Sequence, residues 1–182
     1  MQNRRNLDEI DRKLLDILYL DSRKKLSEIA KHLGVSVGSV HNRIKSLEER
    51  GIIKRFTIQI DPEKMGFDLT ALMSLQIKVR HLKEVNKDLQ QIPEIVALYN
   101  VTGEDDILAI CRFRDRAHLN DVLQKILEIE NIVKTKTQIS LLTLKEEYYT
   151  PNKSDLSPEL HDEIEKFNLL ETNTKTEIEV GK

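Results

Sequence analysis

Apolar residues recur every three or four positions from Leu7 through Ile10, Leu14, Ile17 and Leu18, which predicts an amphipathic helix. Asn6, with Glu9 three residues on, fits its N-cap, and the pattern stops near Leu20 or Asp21. After a polar break at 21–25, Leu26, Ile29, Ala30 and Leu33 predict a short second helix, which Gly34 ends. Ser36 follows as the cap of a third, whose stripe of Val37, Val40, Ile44 and Leu47 runs to Gly51. Residues 52–60 then read as a strand, with Phe56, Ile58 and Ile60 on one face.

From residue 70 the pattern alternates between strand and helix. Residues 70–79 have period two, 82–91 carry Val85, Leu89 and Ile92 on one helical face up to Pro93, and 95–113 read as a hairpin turning at Gly103. Asp115 caps a helix built on Leu119, Val122, Leu123, Ile126 and Leu127, and 132–144 returns to alternation. The order βαββαβ is that of a ferredoxin-like sheet with both helices on one side. One sheet face is left uncovered, so a second copy is expected on it. Ser157 and Pro158 open a further short amphipathic helix through Leu160, Ile164 and Phe167. The expected fold class is therefore α+β. A helix-turn-helix domain spans 1–54, a strand linker 55–68, a ferredoxin-like domain 69–147 and an acidic extension 148–182.

Length and composition narrow the function. A chain of 182 residues holds two small domains, and its 33% charged residues exceed the roughly 25% of ordinary soluble proteins. Its longest apolar stretch, at 69–77, falls well short of the roughly 20 residues of a membrane span. With no secretory leader at the N-terminus and Cys111 as its one cysteine, the chain is expected in the cytoplasm. Residues 1–60 carry 13 Lys+Arg against 8 Asp+Glu, 61–145 carry 12 against 13, and 146–182 carry 4 against 10. A basic head points to a polyanion, unless those charges only solvate a surface.

Their placement favours the polyanion. Off the apolar stripe of the third helix lie Ser39, His41, Asn42, Arg43 and Lys45, with no acid before Glu48. Two helices joined by a glycine turn, the second with a polar basic face, describe a helix-turn-helix whose second helix enters a major groove. Ser36, Val37 and Gly38 complete its leading end, while Lys54 and Arg55 are placed for a phosphate, as in a rudimentary wing. A helical domain that packs on a partner protein is the alternative. No spacing of the five histidines or of Cys111 suits a metal or a nucleophile, so neither metal site, cofactor nor catalytic residue is expected.

LDEIDRKLLDIL at 7–18, LSEIAKHLGVS at 26–36, VHNRIKSLEERGIIKRFT at 40–57, VTGEDDILAI at 101–110 and TKTQISLLTLKE at 135–146 together resemble the Lrp/AsnC family of feast/famine transcription regulators. The resemblance implies a winged-helix-like DNA-binding domain joined to a ferredoxin-like effector domain. It further implies a homodimer that assembles further, to an octamer, on a roughly palindromic double-stranded DNA operator. An amino-acid effector is implied where dimers meet, at Thr102, Gly103, Asp105 and Asp106 of the glycine loop and at Thr135 and Thr137 of the last strand. Gly38 departs from the family, which carries a bulkier residue there, and the acidic run 104–106 admits a cationic effector such as lysine or arginine. Two alternatives remain open at this level: a siroheme-decarboxylase-like enzyme on the same two domains, and an amino-acid-sensing adaptor for a protein partner.

Overall fold

The computed structural model describes residues 7–146; the helix expected from Ser157 onward lies outside the described residues, as does Asn6. The chain divides into two compact units between Thr57 and Ile58. The first holds α1 (Glu9–Leu20), α2 (Leu26–Leu33) and α3 (Val37–Glu49). The cap of α1 is Asp8 rather than Asn6: its carboxylate accepts the Asp11 N–H at 2.7 Å. A charged acceptor placed three residues before that N–H, against the positive end of the helix, does this better than an amide.

α2 and α3 end in the same way. Gly34 and Gly51 take φ of +66° and +71°, and the residues after them, Val35 and Ile52, bond back to the carbonyls of Ala30 and Leu47. Only a residue without Cβ makes this reversal cheaply, which is why the glycines punctuate the helices. The apolar stripes then meet in one core, where Leu14, Ile29, Val40 and Leu47 are fully buried. The strand expected over 52–60 does not form. Phe56, Ile58 and Ile60 are about half exposed or more. Ile52 and Ile53 instead pack on the helical core.

The second unit is a four-stranded antiparallel sheet in the order β2-β3-β1-β4, formed by β1 (Leu69–Ile77), β2 (Ile95–Asn100), β3 (Ile107–Phe113) and β4 (Ile132–Ile139). α4 (Leu82–Leu89) and α5 (Arg116–Leu127) cover one face. There Ala71, Met73, Leu75 and Ile77 of β1 and Ile107, Ala109, Cys111 and Phe113 of β3 pack against Val85, Leu89, Val122 and Ile126. This is the ferredoxin-like arrangement that the alternation predicts. β4 ends five residues before the expected Leu144 because its partner β1 begins at Leu69; the last ladder contact is Ser140 N–H to the Thr70 carbonyl, at 2.8 Å. No described helix is long and apolar enough to cross a membrane.

Among the described residues no helix lies on the opposite sheet face. Alternate residues Leu72, Ser74 and Gln76 of β1, Leu108 and Ile110 of β3 and Tyr99 of β2 lie there, half-buried or exposed. Phe113, by contrast, is fully buried, and replacing it with Ala should remove about 3–5 kcal/mol from the unfolding free energy of the second unit, read in urea melts.

Candidate nucleic-acid interface

α3 is built to show one face. Ser36 fixes its start by accepting the Ser39 N–H on Oγ at 3.1 Å, while Val40 and Leu47 hold its inner side in the core. Val37, Gly38, His41, Asn42 and Lys45 are exposed, Ser39 is half-buried, and Lys54 and Arg55 are exposed just beyond the helix. Lys45 Nζ stands 3.9 Å from Glu49 Oε1 with both side chains about two thirds exposed, a contact too weak to hold it from another partner. Beside this face opens a cleft of about 620 Å³, lined by Asp11, Ser36, Gly38, Ser39, Asn42, Arg43 and Ser46.

Arg43 is placed differently from the other expected DNA-binding residues. Its Nη1 donates to Asp8 Oδ2 at 2.7 Å and to Asp11 Oδ1 at 2.5 Å, so α1 grips α3 through it. Arg50, one heptad on, approaches the second oxygen of Asp11 at 3.7 Å. The two carboxylates hold the Arg43 charge, raising its pKa against the opposing effect of burial. At Asp8 burial works against ionisation, but the Asp11 N–H and the Arg43 guanidinium outweigh it and lower the pKa. The acids were the missed residues. The signal was present: Asp11 sits on the line of Leu14 and Leu18, where an apolar residue is due, and Arg43 and Arg50 flank Leu47 on the inner side of α3.

The expected effector residues fall into two sets. Gly103, at φ +133°, turns the loop between β2 and β3, next to the exposed Thr102. Asp105 accepts from the Gln76 amide at 3.4 Å, and Asp106 Oδ2 accepts the Ile77 N–H at 2.8 Å, filling the gap where β1 shifts register against β4. Asp106 also bonds through its backbone to Leu75 and Val101 and through its carbonyl to the Asn100 amide. Thr135 and Thr137 lie opposite Leu75 and Met73, so their half-buried side chains share the helix-covered face. Gln76, which holds Asp105, lies on the other face, so a single chain does not bring the loop and the threonines into one pocket.

Glu94 and His118, on neither set, form a second polar link at 2.9 Å, with His118 Nδ1 facing the Arg114 N–H at 3.2 Å. Burial opposes the Glu94 charge, but His118 more than offsets it and the pKa is lowered. Cys111 is fully buried against Met73, and burial together with the Glu94 charge pushes its thiol up to about 12. It fills the core as a thiol. Among the described residues no group of three His, Cys, Asp or Glu is arranged to hold a metal ion.

Residues 70–150 match the family described as "Lrp/AsnC ligand binding domain", and 7–54 match "winged helix-turn-helix DNA-binding". The HTH-type transcriptional regulator FL11 of Pyrococcus horikoshii is 39% identical over 147 residues, covering 81% of this chain and 97% of that protein. Among solved structures, E. coli AsnC superposes with a TM-score of 0.76 at 27% identity, over 79% of this chain and 98% of that one. The feast or famine regulatory protein of M. tuberculosis complexed with L-methionine gives 0.75 at 31%, over 80% and 99%.

The grip on Arg43 separates two substitutions that would look alike in a DNA-binding assay. Arg43→Ala leaves the buried Asp11 without its nearest donor and should cost about 1–3 kcal/mol in urea melts. Lys45→Ala should leave the melt unchanged. Because the pKa of Asp8 is lowered in the folded state, its contribution is complete above the ordinary value of 3.8 and fades as pH falls through the lowered one. Melts from pH 7 to 3 should therefore show a shallower acid limb for Asp8→Asn than for the wild type.

Proposed function

The chain belongs to the Lrp/AsnC family of transcription regulators, and we propose that it reads a roughly palindromic operator in double-stranded DNA under the control of an amino-acid effector. The observation that carries this reading is the outward face of α3. Ser36, Val37, Gly38, Ser39, His41, Asn42 and Lys45 present short polar and cationic groups there without an acid before Glu48. In the proposed complex Asn42 pairs with an adenine edge, Lys45, Lys54 and Arg55 meet phosphates or guanine edges, and Arg43 positions the helix from behind.

In the second unit the uncovered sheet face supports a homodimer, buried against the same face of a second copy. Two such chains would offer their reading helices to two half-sites, and further assembly, as in an octamer, would bring loops of neighbouring dimers together. The effector contacts proposed for that setting are Thr102, Gly103 and Asp105 at the loop and Thr135 and Thr137 on β4, with Asp106 holding the loop to the end of β1. The L-methionine complex of the M. tuberculosis relative supports an amino acid as the class of effector. The relatives are regulators, which favours this reading over a siroheme-decarboxylating enzyme or a protein-binding adaptor, and a DNA-reading role agrees with a cytoplasmic location.

Selection of bound duplexes from a random-sequence pool by the purified chain, at moderate salt and with and without the twenty amino acids, tests the proposal. A two-fold-symmetric consensus is expected, with occupancy that changes in the mixture and falls steeply as salt rises. Recovery of random sequence, or binding indifferent to salt, would overturn it.

A further inference from the structure

Gly38 is a residue that the fold itself does not explain. A Cβ there would meet only Ser36 Oγ, at 3.9 Å, an ordinary contact, and Gly38 is not among the glycines with positive φ. Neither crowding nor backbone conformation calls for glycine. Gly38 is the second residue of α3, and because glycine is a poor helix former its presence at this exposed position is a small cost without an internal return.

Its direction supplies the reason. At about 100° per residue, nine positions separate two residues by half a turn, so Gly38 points directly away from the fully buried Leu47. It therefore stands on the crest of the outward face, where α3 comes nearest to whatever it docks on. Asn42 follows one turn along that crest, exposed, and with Gly38 it borders the cleft beside the helix. Asparagine is short. Its amide meets both N6 and N7 of an adenine only if the helix backbone lies close to the groove floor, and a side chain on the crest one turn earlier would lift it away.

We infer that Gly38 is a specificity-determining residue of the DNA interface, kept bare so that α3 seats closely enough on the major-groove base edges for Asn42 to reach an adenine. The inference rests on the DNA-reading function proposed above. It predicts an uncommon pairing of effects: Gly38→Ala makes the protein more stable and a worse reader.

The test uses the full chain, the consensus duplex that it selects from a random pool, and a scrambled duplex of equal length. For Gly38→Ala the expected results are a Tm raised by a few degrees, unchanged scrambled-duplex affinity and consensus affinity weakened about tenfold or more. Adding Gly38→Ala to Asn42→Ala should cause no further loss, because the reach of Asn42 is what the extra methyl removes. If Gly38→Ala and the bulkier Gly38→Gln both discriminate between the duplexes as the wild type does, the role of Gly38 is overturned while DNA reading stands. If the wild type itself selects no consensus, DNA reading fails and this inference fails with it.

Discussion

The grip of Asp8 and Asp11 on Arg43 is the interaction on which the reading surface depends. α3 is only thirteen residues long, and Val40, Leu47 and the partly buried Ile44 hold its inner side in the core. Two carboxylates on α1 add a polar tie to that packing, both accepting from Nη1 of the Arg43 guanidinium. Asp8 does this while also capping α1, so the same side chain starts one helix and ties it to another. In the proposed function Arg43 orients the helix from behind.

The second unit meets a different constraint. Its helices cover one side of the sheet, and the other carries Leu72, Ile110 and Tyr99 toward solvent in a single chain. Leaving such a face wet is unfavourable, at roughly 25 cal/mol for each Å² of apolar surface. Two of the polar side chains within it are matched: Arg112 is bonded to Thr70 and Glu146, and Gln76 to the loop at Glu104 and Asp105. A flat apolar centre bordered by satisfied polar side chains suits association of folded chains.

Much of this was legible in the sequence, for identifiable reasons. Periodicity placed the α-helices and strands of the second unit to within about five residues, since each has one apolar side, and Asp115 marks the start of α5. Over 52–60 the alternation did not announce that Ile52 and Ile53 would join the helical core instead of a strand. The ties of Arg43 to α1 were not legible, because the acids that bind it, 32 and 35 residues earlier, are brought near only by the fold. The threonines of β4 and the glycine loop were found as residue types, but the register that puts Thr135 on one side of the sheet and Gln76 on the other belongs to pairing across strands.

Cys111 is the one cysteine in the chain, and it lies in the centre of the second unit's core. An aqueous thiol reagent reaches it only when that core opens. The rate of labelling is thus a built-in clock for the opening of the ferredoxin-like unit alone, untouched by fraying of the three-helix unit. When opening and closing are fast against the chemistry, the rate reports the free energy of that one unit in the intact protein, with no denaturant and no engineered cysteine.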